Sequence, residues 1–405
     1  MGWYVAQLGS REHYAAARGL HRLAKLQRMY TDIWWRSGRA PVAAPAAVAE
    51  LTSRRHAELP DEKVVSWNMR FMADRALARL PSRRRSRSDV FTQFVKTGQS
   101  FALRVAEAMS HERIDPATDR LFIFSTGALE AIQYCRKIGM PVILDQLDPA
   151  QLDEQTVIEE MQRWPGWATA EGKVPAEYYD RLKEEWQLAE RVVVNSEWSR
   201  RAVLAAGIDP ARTCVIPLAY EPEDPLPAQS AKEKPSGRLH LLWLGQVVLR
   251  KGIPYLLEAA RKLPRVQFDV VGSIGITDQA VRSAPANVTF HGKLDRSGAL
   301  AYYRNADLFV LPTLSDGFAI TQIEAMSHGL PVITTERCGE VVTPGEDGFI
   351  IPVRSAEALA ERIAQLDSDR ALLEFMSTNA IKKARSFTIA RYTDSLILAG
   401  EVVAT

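Results

Sequence analysis

The chain has 405 residues, of which 46% are hydrophobic and 25% charged, and a formal net charge of +2; that length and balance suit a folded protein with two separately cored domains. No run of roughly 18 apolar residues is present to cross a bilayer, and Arg11 and Glu12 interrupt the first apolar stretch before it reaches signal-segment length, so a cytoplasmic protein is expected. The three cysteines, Cys135, Cys214 and Cys338, are far apart and form no C-x-x-C pair, which points away from a zinc site or disulfide framework and toward reduced core residues.

In chain order, Trp3–Leu8 reads as a strand, followed by the turn Gly9-Ser-Arg-Glu-His-Tyr14. Residues 1–120 hold 21 lysines and arginines against 12 acidic residues, so the N-terminal part is basic and the remainder acidic. The densest basic tract, Arg79 to Arg87 with Pro81, Ser82, Ser86 and Ser88 interspersed, reads as a solvated loop; contact with an anionic membrane surface or a phosphorylated acceptor is its functional alternative. Nucleic acid is disfavoured because no aromatic residues alternate with these arginines. Further short β-branched runs at Lys63–Trp67, Leu121–Phe124, Val142–Leu144, Arg191–Asn195 and Thr213–Ile216 alternate with helical stretches, the pattern of a parallel sheet with crossover helices.

After Pro217 the chain becomes rich in proline and charge, which predicts a linker over 221–238. A second series then repeats the architecture at Leu239–Leu244, Val266–Val271, Val288–Phe290, Leu308–Leu311, Pro331–Thr334 and Phe349–Ile351. The expected division is an N-terminal domain over 1–220, the linker, a C-terminal domain over 239–384, and a last helix over 385–405. Ser386 or Thr388 is placed to cap that helix, which carries Tyr392, Leu396, Ile397 and Val402.

Ligands of open parallel sheets bind beyond the carboxyl ends of the strands, so the loops after the second series of strands are the places to search. In Trp243-Leu-Gly-Gln-Val-Val-Leu-Arg-Lys-Gly252, Gly245 and Gly252 permit close backbone approach, and Arg250 and Lys251 supply charge for an anion. The spacing matches neither a Walker loop nor the G-x-G-x-x-G fingerprint, and by itself such a pair of cations is more often solvent-facing. In the segment from Leu311 to Val332, a strand leads into a glycine turn at Asp316-Gly317 and a helix that stops at Gly329 and Pro331. Amides from Gly317 through Phe318 and Ala319 to Ile320 would face a ligand at the helix mouth, and Glu324 lies on the next turn, sharing a face with Ile320, Ser327 and His328. Read alone, Asp316 is a turn former and Glu324 a solvated helix residue.

The segment from Asp316 to Glu324, with Glu324-Ala-Met-Ser-His-Gly-Leu-Pro-Val-Ile-Thr-Thr335 after it, resembles the E-x7-E region of glycosyltransferase family 4. Gly245 to Gly252 resembles that family's G-R-L-x-x-x-K-G loop. Arg191-Val-Val-Val-Asn195 running into Ser196-Glu197-Trp198-Ser199 resembles the serine-bearing strand and helix late in its N-domain, and Gly9 to Tyr14 resembles its N-terminal glycine turn. The resemblance implies a GT-B fold of two facing Rossmann-like domains, with the last helix crossing back to the N-domain. It implies a retaining transfer from a nucleotide-diphosphate sugar used as co-substrate, with no tightly bound cofactor and no metal. Lys251, with Arg250, would neutralise the departing diphosphate; Asp316 would hold hydroxyls of the donor sugar; Gly317 to Ile320 would offer amides; Glu324 would bind the ribose; Gly245 and Gln246 would line the donor loop. Gly9, Ser10, Arg11 and His13 would face the acceptor.

Three positions depart from the family pattern. Gln246 replaces the loop arginine, Asp316 is one methylene shorter than the usual glutamate, and Phe124-Ser-Thr-Gly127 stands where a histidine-bearing loop is often found. His13 and His111 are candidates for that contact by neighbourhood, with a structural role favoured for both. Trp34, Trp35, Arg36 and Arg39 could stack on sugar rings, although core packing is favoured for at least one tryptophan. The acceptor could be a lipid-linked glycan, a polysaccharide or a small alcohol at the inner membrane face or in the cytoplasm. The rival readings are a nucleotide-sugar epimerase or phosphorylase of the same fold and a non-catalytic nucleotide-sugar-binding or scaffold protein.

Overall fold

The computed structural model describes residues 1–36, 54–72, 86–169, 172–222 and 237–401. Residues 223–236 of the predicted linker (221–238), Arg39, the tract from Arg79 to Arg85 and Val402 lie outside the described residues.

Two all-parallel sheets form. The first orders its seven strands β3-β2-β1-β4-β5-β6-β7: β1 Trp3–Gln7, β2 Leu26–Thr31, β3 Val64–Ser66, β4 Arg120–Phe124, β5 Val142–Gln146, β6 Arg191–Val194 and β7 Thr213–Val215. The second orders six strands β10-β9-β8-β11-β12-β13: β8 His240–Leu244, β9 Gln267–Val271, β10 Val288–Gly292, β11 Leu308–Leu311, β12 Val332–Thr335 and β13 Gly348–Ile351. Their apolar residues are covered on both faces by helices, which is why the strands read as continuous β-branched runs. In each sheet the strand order reverses beside the first strand, between β1 and β4 and between β8 and β11. Crevices at such switch points open at the carboxyl ends of those strands.

Every strand predicted from sequence forms to within two residues at either end, and one strand without a sequence signal is added. Gln27 and Arg28 break the apolar run of β2, yet Leu26, Met29, Tyr30 and Thr31 are buried, and Arg28 lies 2.7 Å from Glu112. The Rossmann-like pair and its returning helix are as the resemblance implied. The helix Ile389–Glu401 packs on the helix Ala15–Arg22, with Ile389, Tyr392, Leu396 and Ala399 in one core with Trp3, Val5, Ile143 and Val193. Contact is close: a Cβ on Gly19 would lie 1.8 Å from Thr393 Oγ1. Thr388 caps the helix, its hydroxyl accepting from the Arg391 amide at 3.2 Å, and the Arg120 guanidinium donates to the Gly400 carbonyl at 3.3 Å.

Candidate active site

The two loops of the second sheet are locked together by glycine. Gly252 sits at φ +74°, and a Cβ there would be 1.8 Å from the Pro312 carbonyl oxygen, so only glycine lets the loop after β8 lie on the loop after β11. The Leu314 amide donates to the Arg250 carbonyl at 2.9 Å and completes the seam. Behind it, the loop Gly272–Gly275, unremarked in the sequence, pins the turn after β8: Val247 donates to the Ser273 carbonyl and Gly275 to the Val247 carbonyl, both at 2.9 Å.

This seam brings the candidate cations to the acidic motif. Lys251 Nζ contacts Asp316 Oδ2, each side chain about 14% exposed, and the Asp316 amide donates to the Arg337 carbonyl at 2.9 Å. Burial, and then the Arg250 guanidinium, push the Lys251 ammonium down to about 7, while Asp153 pulls the other way. Arg250 donates to the Ser315 carbonyl at 2.5 Å and lies 3.4 Å from Asp153 of the first domain. The amides of Gly317, Phe318, Ala319 and Ile320 donate to no group among the described residues, with Ala319 in the left-handed region at φ +60°. Gly245 is extended at φ +159°, its amide donating to Val271, and Gln246 is exposed beside it. Cys338, buried near Lys251, has its thiol pushed up to about 11 by burial, in keeping with an inert core residue.

Glu324 lies in the helix Thr321–Ser327, and its Oε2 accepts from the Tyr303 hydroxyl at 2.9 Å. Burial raises its carboxyl above the ordinary range, opposed by the Tyr303 hydrogen bond and by Arg296. Tyr303 stacks on His328 with ring centroids 5.4 Å apart. No local pattern pointed to Tyr303, because it lies 21 residues before the carboxylate it braces.

Across the cleft, Gly9 turns at φ +83° and its amide donates to Asp32 at 2.9 Å; Asp32 is in turn paired with Arg54 at 2.7 Å. Ser10 and Arg11 are exposed, and the His13 amide donates to the Ser10 carbonyl at 3.2 Å. Glu12, His13 and Tyr14 are all held in the left-handed region, an uncommon run for residues with side chains. Among the described residues neither carboxylate oxygen of Glu12 has a hydrogen-bond partner; burial pushes its carboxyl up to about 7, and the buried Asp145 on β5 is likewise raised, first by burial and then by Glu12. Burial, and then Asp153, raise the Asp148 carboxyl above its ordinary range, opposed by the Ala150 amide, Arg11 and Arg250. His111 stands at the end of the helix Arg87–Met109, outside this cleft cluster.

The loop Ser125–Gly127 is fastened from behind by Glu185, which accepts from the Thr126, Ala128 and Leu129 amides at 2.7 to 3.1 Å. Trp34 is core: it is 2% exposed and donates its indole N–H to Asp61 at 2.8 Å. Trp35, Arg36, Trp67 and Arg104 line a groove of about 510 Å³ beyond β2 and β3. Arg87 is paired with Glu154 at 2.5 Å.

Two facing Rossmann-like domains with loops converging from both switch points define the GT-B architecture. The chain superposes over 100% of its length on 99% of sucrose-phosphate synthase from Thermosynechococcus elongatus, with a TM-score of 0.69 at 19% identity. Residues 238–369 match the family model described as "Glycosyl transferases group 1". Among curated proteins, the chain is 31% identical over 156 residues to the capsular polysaccharide biosynthesis glycosyltransferase CapM of Staphylococcus aureus, covering 36% of this chain and 40% of that protein. It is 27% identical over 230 residues to D-inositol 3-phosphate glycosyltransferase of Mycobacterium bovis (strain BCG / Pasteur 1173P2), covering 52% of this chain and 48% of that protein. The chain thus spans less than half the length of these relatives.

Proposed function

We propose that the chain is a retaining glycosyltransferase that moves a glycosyl group from a nucleotide-diphosphate sugar to a hydroxyl-bearing acceptor without a metal ion. The observation that carries this reading is the meeting of Lys251, Arg250 and Asp316 with the unengaged amides of Gly317 to Ile320, at the switch point of a group 1 domain. Two cations and a set of oriented amides are the means by which a protein stabilises charge developing on a leaving diphosphate. Asp316 holds the sugar hydroxyls, Glu324 the ribose, and Gly245 and Gln246 flank the phosphates; Gly9 to His13 face the acceptor. In a front-face transfer the departing phosphate takes the acceptor proton, so positioning and electrostatics suffice. Its place is the cytoplasm, with anionic membrane contact through the Arg79–Arg87 tract; among the described residues no helix is long and apolar enough to cross a membrane.

A thermal-shift and hydrolysis panel of UDP-, GDP-, ADP- and TDP-sugars tests the proposal. A donor at a hundredfold excess over its Kd stabilises the fold by about 3 kcal/mol. The expected result is one donor that both raises Tm and is slowly hydrolysed, with NMR showing the anomeric configuration kept. Absence of binding at millimolar concentration leaves the scaffold reading in its place; an inverted anomer rejects retention.

A further inference from the structure

β1, β2 and β3 are parallel neighbours, so the loops that leave their carboxyl ends stand side by side, about 5 Å apart per strand. Asp32, after β2, joins them: its carboxylate accepts from the Gly9 amide at 2.9 Å, and its carbonyl accepts from the Trp67 amide after β3 at 3.2 Å. Asn68 braces the same strip, accepting from the Trp34 amide at 2.9 Å and donating to the Trp34 carbonyl at 2.7 Å. With Trp34 in the core, Trp35 and Trp67 are left as half-buried walls of the groove beyond β2 and β3. Trp67 is held in place by Tyr30, stacked on it with centroids 6.5 Å apart, and by Phe101, edge-on at 6.0 Å.

The charge of this groove has one sign. Its lining contains Arg36, Arg70 and Arg104 and neither Asp nor Glu. Arg36 and Arg104 pair with no carboxylate among the described residues, whereas Arg28, Arg54 and Arg181 of the same domain each lie 2.6 to 2.7 Å from one. Fixed aromatic walls offer apolar surface to the C–H face of a sugar ring, and guanidinium groups bind carboxylate or phosphate oxygens in pairs. The volume of about 510 Å³ is that of a small-ligand pocket, and its concave form suits an inserted ring better than a flat bilayer surface. We propose that the groove is a second carbohydrate subsite, which holds an anionic sugar, a uronate or a sugar phosphate, of an elongated acceptor whose reacting end lies at the Gly9 turn. This rests on the acceptor-side reading above and adds the class of acceptor that it leaves open, a chain of sugars carrying negative charge.

The probes are an oligogalacturonate trisaccharide, its methyl ester, which has the same sugars without the charge, and glucose 6-phosphate. Each is titrated by calorimetry into the unaltered chain and into the double variant Arg36→Gln, Arg104→Gln; vesicles of phosphatidylglycerol are tested by co-sedimentation. The expected outcome is that an anionic probe binds, that the ester binds at least tenfold more weakly than the acid, and that the double variant loses at least tenfold in affinity. Whether the trisaccharide or the sugar phosphate binds separates carboxylate from phosphate recognition. Arg36→Glu, at an exposed position, should lose binding to the same extent, and it decides the matter if the double change lowers Tm. Failure of both anionic probes to bind at millimolar concentration, equal binding of ester and acid, or unchanged binding by the arginine variants overturns the subsite. Binding of the vesicles alone, lost in the variants, reassigns the groove to a membrane surface. UDP, GDP, ADP and TDP are titrated alongside: if a nucleotide binds and no probe does, the subsite falls while the transferase reading stands, and if a probe binds through the arginines and no nucleotide does, the transferase reading falls instead.

Discussion

Lys251 is the residue whose charge the proposed chemistry depends on most directly. Burial and Arg250 bring its ammonium down to about 7, so in the free protein the charged form is lost as pH rises through neutrality. If only the charged form draws the diphosphate, kcat/KM should fall above pH 7 with a single deprotonation, and Lys251→Arg should remove that limb because a guanidinium stays charged. A pH profile of kcat/KM for both proteins checks this. Glu324 and Tyr303 make a second pair with a separable effect: Tyr303→Phe should raise donor KM three- to tenfold with little change in kcat, while Asp316→Ala should lower kcat about a hundredfold. Steady-state kinetics with a saturating acceptor distinguishes the two. Glu12 governs stability in the other half. Its carboxyl is raised to about 7 from an ordinary 4.5, so its protonated form is favoured in the folded protein; that contribution is complete below about pH 4.5 and is lost as pH rises to 7. Glu12→Gln should flatten the fall in Tm between pH 5 and 7.

At the scale of elements, two glycines decide whether the site exists. Gly252 joins the loop after β8 to the loop after β11, and any side chain there meets both a left-handed backbone and the Pro312 carbonyl. Gly252→Ala should destabilise the second domain by about 2 kcal/mol or more and weaken donor binding with it, measured by urea unfolding and calorimetry. Gly317 acts between elements instead. Its motif loop is seated on Leu147 and Ser196 of the other domain, so a methyl group at that position acts on docking rather than on the fold of the loop.

Over the whole molecule, the last helix ties the two ends of the chain together. Leu396 is fully buried in a core built from Trp3, Val5, Phe122 and Ile143, which the first domain cannot close by itself. Leu396→Ala should cost 2 to 5 kcal/mol, roughly the range for emptying a well-packed leucine site, and should lower the unfolding transition of the N-terminal half selectively, as read by hydrogen exchange of β1 and β4. Charge is divided on the same scale: the basic N-terminal part meets acidic partners from elsewhere in the chain, as where Arg18 and Arg22 clasp Glu221 at 2.7 to 2.8 Å.

The sequence by itself determined the two sheets, because buried parallel strands must be written as β-branched runs between helices, and it picked out the glycine loops after β8 and β11, because glycines and charges at strand ends are local features. It left β2 unread, since Gln27 and Arg28 mask a strand whose burial comes from its neighbours. Only the tertiary structure decided what those loops touch. Tyr303 on Glu324, Asp153 on Arg250, Asp145 beside Glu12 and Glu185 under Thr126 join residues 21 to 133 positions apart. Such contacts leave no periodicity or spacing to read, because they form only when elements distant in the chain pack together, within a domain or, for Asp153 and Arg250, across the two.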